Sequence, residues 1–277
     1  MPLIDFHVHV GTRSHWTPWV MSYFERTNQF YTTNFVEEIT PNQVREHLDD
    51  ENVDMVVILA EYAPKTTGVV TNEFVADFSA RTHGLIPFGS ICLYDGPDPK
   101  DQFFHAVNEL GCKGIKLLPT YAHFFPDDPR LWPVYEAAQD LGIPVAFHTG
   151  TSIFKGSRIR YGNPLLLDEI AEDFPNLTIV MCHAGRPFWY AEAEWMLRRH
   201  KNTLIDIAGI PPKQIPSIFP HIERLRDRFL FGSDWPGIRS IAAQAGLIRQ
   251  LPLDAETIEC ILWKNSARVL GLDLGNR

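Results

Sequence analysis

Two histidines separated by one residue stand at the end of the first strand-like run of the sequence. The run Leu3 to His7 is followed by Val8 and His9. Side chains two positions apart on a strand face the same way, so the two imidazoles converge on one point. Imidazole is the commonest metal-binding side chain, and such a pair suits two ligands of one ion. Because this spacing also arises by chance, a metal site requires further ligands.

Three more polar side chains follow later strand-like runs. His148 and His183 each end such a run and are followed by a small residue and a glycine, and Asp234 follows the last run. In a barrel of parallel strands, the carboxyl ends of all strands share one rim, where active sites of that fold are built. We therefore expect these side chains to converge with His7 and His9, although they are far apart in sequence.

These residue types suit a divalent metal ion that activates water. Neutral imidazole and carboxylate favour Zn²⁺, with Mn²⁺ as the other candidate, and catalytic zinc sites keep a position for water. The metal lowers the pKa of that water from about 15.7 to about 7. Asp234 could ligate the metal, take a proton from the water, or do both in turn. His183 could polarise a substrate carbonyl or act as an acid.

Lys116 is a further candidate because it lies inside the apolar run Gly114 to Leu118. An ammonium group that points into a barrel mouth is costly unless it is paired or used. One interpretation is a structural ion pair with Asp234 or Glu61. The others are a substrate anchor and a carboxylated lysine that bridges two metal ions. The sequence therefore leaves open whether one metal or two are bound.

Short β-branched runs alternate with helical patterns along the chain, which is typical of βαβ units and a mainly parallel sheet. After the first gap, successive runs begin roughly 25 to 30 residues apart, the length of one βα repeat. Eight repeats favour closure into a (β/α)8 TIM-type barrel. The runs are Leu3 to His7, Met55 to Ala60, Leu85 to Ile91, Gly114 to Leu118, Val145 to His148, Thr178 to Cys182, Thr203 to Ile207 and Phe229 to Phe231.

An aromatic-rich insertion after the first strand, about residues 10–40, does not fit the repeat. Loops this long in compact domains are usually functional or disordered, and the aromatic content argues against disorder. We interpret the insertion as an ordered flap over the site, the alternative being an oligomer contact. No linker or domain boundary is apparent, so residues 1–277 are expected to form a single barrel domain.

Charge and hydropathy limit the classes of partner that the protein is expected to bind. The chain carries 25 basic and 34 acidic residues, a formal net charge of -9, which offers no attraction to nucleic acid or anionic lipid. The longest nearly apolar stretch, Val53 to Ala60, is far short of the about 20 residues that span a bilayer. No basic leader precedes His7, so we expect a cytoplasmic protein that acts on a small molecule. A homodimer is the default expectation for a soluble oligomer.

The four cysteines lie far apart, without a Cys-x-x-Cys pair. This spacing argues against a disulfide scaffold and against a cysteine-based zinc site. The sequence also lacks GxGxxG after the first strand, GxxxxGK[ST] and GxSxG, which weakens dinucleotide, nucleotide and serine-hydrolase interpretations. Histidine and aspartate remain as the metal ligands to consider.

Taken together, five motifs resemble the amidohydrolase superfamily, and in particular its amidohydrolase-related (amidohydrolase 2) branch. That branch includes aminocarboxymuconate-semialdehyde decarboxylase, resorcylate decarboxylases and small lactonases. The resemblance covers the whole chain, in order. The motifs are Ile4-Asp5-Phe6-His7-Val8-His9, Gly-Ile-Lys-Leu-Leu-Pro at 114–119, Phe-His-Thr-Gly at 147–150, Cys-His-Ala-Gly at 182–185 and Phe-Gly-Ser-Asp-Trp-Pro at 231–236.

The resemblance implies a distorted (β/α)8 barrel and a divalent metal. The implied ligands are His7, His9, His148 and Asp234, with His183 beside the metal as a catalytic group. The Lys116 motif is similar to branch members with a lysine on the fourth strand, whereas the branch's decarboxylases lack it there. This departure weakens the case for decarboxylation.

Several side chains near the strand ends are candidates for substrate binding. Arg186 lies three residues after His183, and two more arginines follow in the loop after His148. Arginine binds carboxylates in a bidentate manner, so an anionic substrate is plausible, although most surface arginines are merely solvated. The full set of candidates is Arg186, Arg158, Arg160, Tyr121, His123 and Trp235.

These observations lead to one main functional prediction and two alternatives. The main prediction is a metal-dependent hydrolase that uses metal-activated water on a small, carboxylate-bearing ester, lactone or amide. The first alternative is a metal-dependent nonoxidative decarboxylase of a small carboxylated substrate, in which His183 or Asp234 protonates the carbon. One scaffold can host both reactions, so fold alone does not decide. The second alternative is a non-catalytic protein stabilised by its metal.

Overall fold

A computed structural model describes residues 1–274, so the last three positions of the predicted domain lie outside the described residues. Residues 1–274 contain ten strands. Eight of them form one parallel sheet, and two three-residue strands, β3 and β4, form a separate antiparallel hairpin. The strands are β1 (Ile4–Val8), β2 (Met55–Leu59), β3 (Glu61–Ala63), β4 (Gly68–Val70), β5 (Leu85–Ser90), β6 (Ile115–Leu117), β7 (Val145–His148), β8 (Ile179–Cys182), β9 (Thr203–Asp206) and β10 (Phe229–Leu230).

The sheet closes on itself as a barrel. Its strand order is β1-β2-β5-β6-β7-β8-β9-β10, and every pairing along it is parallel. The two ends meet through Phe6, whose N–H donates to the Phe231 carbonyl at 2.8 Å, and through a parallel bridge between Val8 and Trp235. The predicted (β/α)8 barrel is confirmed, and each predicted run overlaps its barrel strand to within about a residue or two at either end.

Helices connect the strands and cover the outside of the barrel. Short 3-10 turns and two π-helical turns, His105–Glu109 and Cys260–Lys264, complete these connections. The α-helices are α1 (Pro18–Thr27), α2 (Gln29–Asn34), α3 (Pro41–Asp50), α4 (Asn72–Ala80), α5 (Pro99–Phe104), α6 (Pro119–Ala122), α7 (Trp132–Leu141), α8 (Asp168–Asp173), α9 (Tyr190–Arg199), α10 (Ile215–Ile218), α11 (Ile241–Arg249), α12 (Ala255–Glu259) and α13 (Asn265–Val269).

Local sequence explains where several helices begin. α3 starts at Pro41 after a capping box, in which the Thr40 side chain accepts from the Gln43 N–H and the Gln43 side chain accepts from the Thr40 N–H. α5 repeats the cap-plus-proline arrangement at Asp98 and Pro99. Proline at the first helical position costs no hydrogen bond, and its ring fixes a helical φ. Within residues 1–274, no helix has the length and apolar character needed to cross a membrane.

The insertion after β1 is folded over the carboxyl end of the barrel. It contains a 3-10 turn, Arg13–His15, followed by α1 and α2. Its buried Tyr31 hydroxyl donates to the Gly11 carbonyl and accepts from the Trp16 indole N–H. The β3–β4 hairpin lies next to the insertion, where Thr17 donates its N–H to the Thr67 carbonyl. The sequence did not reveal this hairpin because each of its strands has only three residues.

The core has two layers on either side of the barrel wall. Side chains that point inward form a small cluster, with Phe6 and Phe88 packed edge to face at 5.4 Å between ring centroids. Outward-pointing side chains pack under the helices in a larger cluster. Strands buried on both faces read as continuous apolar runs, which explains why polar residues at their ends stand out.

Candidate metal centre and active-site cavity

The end of β1 and the segment after β10 bring three metal-binding side chains together. Asp234 Oδ1 lies 3.6 Å from His7 Nε2 and 3.4 Å from His9 Nε2. Backbone hydrogen bonds lock the two segments in register, since the Asp234 N–H donates to the His7 carbonyl at 3.0 Å and the His9 N–H to the Trp235 carbonyl at 2.8 Å. One nitrogen of each histidine therefore faces the same carboxylate oxygen, as a shared ion requires.

His148 and His183 complete the group from the ends of β7 and β8. The ring centroid of His183 lies 4.6 Å from that of His148 and 4.8 Å from that of His7. His148 Nε2 is buried and has no hydrogen-bond partner among the described residues. An orphaned buried nitrogen is costly unless a ligand satisfies it. His7, His9 and Asp234 thus fit a divalent ion, and His148 is the candidate fourth ligand.

The backbone at two of these positions is left-handed. His183 has a φ of 66° and Asp234 a φ of 64°. Non-glycine residues seldom adopt this conformation, and it clusters at functional sites. At both positions the chain turns sharply at the end of a strand, which directs the side chain into the barrel mouth instead of along the strand.

Burial sets the protonation of the histidines. It lowers the pKa of His7 to about 4, with repulsion from Lys116 adding to the effect and Asp206 opposing it. Burial also holds the pKa values of His148 and His183 well below the usual range, assisted by nearby cations. All three rings are neutral near pH 7, which is the form that ligates metals.

Asp206, which the sequence analysis missed, orients both His7 and His183. Its carboxylate bonds His7 Nδ1 in a short contact and accepts from the Ala208 N–H at 2.7 Å. The Ala208 carbonyl in turn accepts from His183 Nδ1 at 2.9 Å. The Nε2 atoms of both rings are therefore left for the cavity. Gly232 permits this approach, because a Cβ there would lie 2.1 Å from Asp206 Oδ1.

Replacing Asp206 with asparagine is expected to weaken metal binding about tenfold or more, because partners of metal-bound histidines typically contribute 10- to 100-fold. The amide keeps the shape of the side chain but removes the charge behind His7. Competition with a chromogenic chelator measures the affinity directly. Asp168→Asn is the matched control, since Asp168 pairs with Arg199 and His200 outside the cavity. Equal affinities for wild type and Asp206→Asn would contradict this role.

Lys116 and Glu61 lie on the other side of His9. Glu61 Oε2 is 3.5 Å from His9 Nδ1, and burial raises the pKa of Glu61 to about 7 although His9 and Lys116 oppose the rise. Lys116 is 1% exposed and lines the cavity. Its Nζ has no hydrogen-bond partner among the described residues and forms no ion pair with Asp234 or Glu61. The structural ion pair considered from the sequence is therefore not formed.

Arg186 is the arginine that reaches the centre. Its Nη2 lies 3.5 Å from Asp234 Oδ2, and Nη1 lies 3.5 Å from the Ala208 carbonyl. Burial alone would raise the pKa of Asp234, but the hydrogen bond from His9 and the adjacent charges, Arg186 included, hold it well below the usual range. Gly209 makes room for the guanidinium, since a Cβ there would lie 1.2 Å from Nη1.

These side chains form the floor of a cavity of about 410 Å³. Tyr121 lines it as predicted, with its ring 4.4 Å from that of His148. The insertion covers it: Trp16, Tyr23 and Phe24 contribute rings to the lining. The insertion predicted to be a flap therefore places aromatic rings in the lining beside the candidate metal-binding group.

Four of the predicted substrate-binding residues lie outside the cavity lining. Trp235 is 1% exposed and packs away from the cavity against Tyr31, at 5.2 Å between ring centroids, because the left-handed turn before it sends it into the core. Arg158 and Arg160 are exposed, and Arg160 stacks on Phe125. His123 Nε2 bonds the Gly156 carbonyl at 2.7 Å. The residues that do not line the cavity are Trp235, Arg158, Arg160 and His123.

A parallel barrel with a histidine and aspartate centre at its carboxyl rim defines a class of barrel enzymes, and comparison with known proteins identifies the family. A family model described as amidohydrolase matches residues 4–272. The chain belongs to this family, which confirms the resemblance drawn from its five motifs.

Individual relatives are more distant. The 2-amino-3-carboxymuconate-6-semialdehyde decarboxylase of Dictyostelium discoideum is 23% identical over 235 residues, 73% of this chain and 66% of that protein. An uncharacterized TIM-barrel protein from Bordetella bronchiseptica superposes with a TM-score of 0.82 at 22% identity, covering 98% of this chain and 99% of the other. A dihydroxybenzoic acid decarboxylase from Polaromonas, solved with manganese and the inhibitor 2-nitroresorcinol, gives 0.70 at 15% identity, covering 98% and 97%. At these identities the structural matches establish the fold.

Proposed function

We propose that the protein is a metal-dependent nonoxidative decarboxylase of a small carboxylated substrate. The pair of cations at the cavity floor supports the carboxylated substrate, and the decarboxylases among the relatives support the reaction. Lys116 is buried without a carboxylate partner, and Arg186 approaches from the side of Asp234. A buried ammonium requires a counter-charge, and a substrate carboxylate supplies it.

The relatives favour decarboxylation over the hydrolysis that was the main prediction from the sequence. The names of two of them denote decarboxylases, one of them with manganese in its structure. The lysine on the fourth strand, taken from the sequence as a departure from decarboxylases, serves here as a carboxylate anchor. Hydrolysis remains the competing reaction on the same scaffold.

The residues fit one divalent ion, Zn²⁺ or Mn²⁺, held by His7, His9, His148 and Asp234. Such an ion would bind and polarise substrate oxygens next to the bond that breaks. Arg186 and Lys116 bind and orient the anionic substrate. Trp16 and Phe24 of the flap help exclude water, which strengthens these electrostatic contacts.

His183 is the proposed proton carrier. Its Nδ1 donates to the Ala208 carbonyl, so Nε2 is free to take a proton from an acidic group of the bound substrate or from water. When the carbon–carboxylate bond breaks, carbon dioxide leaves and its bonding electrons remain on the carbon. The proton on His183 Nε2 then passes to that carbon, and His183 returns to its neutral state.

A substrate panel tests the reaction. The protein, loaded separately with Zn²⁺ and with Mn²⁺, is incubated with carboxylated aromatic acids and with lactones. Release of carbon dioxide without ring opening supports the proposal. Ring opening of a lactone without carbon dioxide release overturns it in favour of the hydrolase.

Replacing Lys116 with methionine separates the two remaining roles of this lysine. Methionine nearly preserves the volume and removes the charge, so we expect kcat/KM for the substrate to fall about 10- to 100-fold, as for loss of a hydrogen bond to a charged group. Metal content, measured by elemental analysis, should be unchanged. A parallel loss of metal would contradict the anchor role and favour a carboxylated lysine that bridges two ions.

A further inference from the structure

Two sides of the cavity lining next to the candidate metal-binding group are apolar. One side is a row of aromatic rings in mutual contact that starts in the flap. Ring centroids are 5.7 Å apart for Trp16 and Phe24, 6.0 Å for Phe24 and Tyr23, and 5.4 Å for Tyr23 and Phe154. Phe154 continues to Tyr121 at 6.2 Å, whose ring lies against His148. The row therefore runs from the flap to the floor of the cavity.

A second side of the lining is aliphatic. It is formed by the segment 207–215 after β9 and by α11, which packs against the turn Pro212–Gln214 of that segment. Apart from Gln244, the side chains that these two elements contribute to the lining are aliphatic or proline. They are Ile207, Ile210, Pro211, Pro212, Ile215 and Ile248.

The aliphatic side begins next to the carboxylate-binding arginine. The Arg186 guanidinium lies against Gly209, and the Ile210 N–H donates to the Ile207 carbonyl at 3.1 Å, which folds the segment into a turn at this point. A carboxylate held by Arg186 therefore places its first carbon atoms beside Ile207 and Ile210. Further along, apolar groups line both sides.

We propose that the substrate is a carboxylic acid with an apolar body, which packs against the aromatic row and the aliphatic side while its carboxylate meets Arg186 and Lys116. This inference rests on the proposed function for the position of the carboxylate. It disfavours acids whose hydroxyls would lie against the aliphatic side chains, because a hydroxyl there would lose its hydrogen bonds to water without replacement.

A homologous series of probes tests the inference. Binding of butanoate, pentanoate and hexanoate to the metal-loaded protein is measured by isothermal titration calorimetry, with 6-hydroxyhexanoate and hexanamide as matched controls. Burial of a methylene strengthens binding about fourfold, so hexanoate should bind about 15-fold more tightly than butanoate. The terminal hydroxyl should remove most of that gain, and the neutral amide should bind weakly throughout.

Two variants test whether the dependence on chain length arises at the aliphatic side of the cavity. Ile210→Asn should flatten the dependence on chain length, whereas Ile159→Asn, at an exposed isoleucine outside the cavity lining, should preserve it. An affinity independent of chain length in the wild type, or equal binding of hexanoate and 6-hydroxyhexanoate, overturns the inference. The wild-type series tests the inference even if Ile210→Asn fails to fold.

This test is separate from the test of the reaction. A chain-length dependence in a protein that releases no carbon dioxide from any acid would leave the apolar site standing and refute the decarboxylase. Carbon dioxide release from a polyhydroxylated acid, with no dependence on chain length, would refute the apolar site and leave the decarboxylase standing.

Discussion

Replacing Asp234 with asparagine is expected to lower kcat/KM about 10³-fold on the acid that the protein decarboxylates. Asp234 is the only carboxylate in the proposed ligand set, so its loss should cost more than the about 10- to 100-fold that is typical of a residue behind a ligand. This variant also removes the negative charge that lies within 3.6 Å of both His7 Nε2 and His9 Nε2. The fold should persist, because the backbone hydrogen bond from Asp234 to His7 does not involve the side chain. Steady-state carbon dioxide release and circular dichroism measure the two quantities.

The matched control is Asp227→Asn, the same chemical change at an exposed aspartate that pairs with Arg228 and does not line the cavity. Its activity should equal that of the wild type. If Asp234→Asn retained full turnover with an intact fold, the catalytic assignment would fail. Equal turnover would also remove the main reason for placing the reaction at this rim.

The double variant His7→Ala with His9→Ala is expected to lose its metal. The wild type should carry about one divalent ion per chain, as expected for a mononuclear catalytic site. Removing two of four donors leaves His148 and Asp234, which approach the centre from different strands and do not form a site by themselves. Elemental analysis after gel filtration gives the metal content, and activity should fall with it.

A matched double variant, His105→Ala with His221→Ala, removes two histidines that do not line the cavity and should keep the metal. Retention of the ion after loss of His7 and His9 would refute the proposed ligand set. A metal content near two ions per chain in the wild type would contradict the single-ion site. It would instead support a carboxylated Lys116 that bridges two ions.

The sequence predicted the barrel because its strands are buried on both faces. Such strands are continuous apolar runs, and their ends are marked by a change to polar residues. The spacing of His7 and His9 and the small residues after His148 and His183 placed the candidate ligands at one rim. These features are local, so they could be found without knowing which strands pair.

Asp206 could not be found in this way because its role depends on a partner 199 residues away. A buried acid at the end of an apolar strand, between Ile205 and Ile207, is the signal that the sequence contained. Trp235 was misplaced for a related reason. It follows a metal-binding residue directly, but the left-handed backbone of Asp234 turns it into the core.

The choice between hydrolysis and decarboxylation was the least predictable part. Both reactions use the same metal group, and both are compatible with Arg186 and Lys116 as anchors for an anionic substrate. The difference lies in whether the carbon or a water molecule reacts, which depends on the substrate that enters the cavity. The fold determines where the site lies, but it does not determine which of the two reactions takes place there.

The most direct test of the proposed reaction is product analysis in D₂O. The metal-loaded protein is incubated with an acid that it consumes, and NMR and a carbon dioxide assay are recorded together. The proposal predicts one carbon dioxide per product and one deuterium on the carbon that carried the carboxylate, with neither formed by metal-stripped protein and both formed far more slowly by Asp234→Asn. A product that retains its carboxylate and gains the elements of water would contradict the proposal.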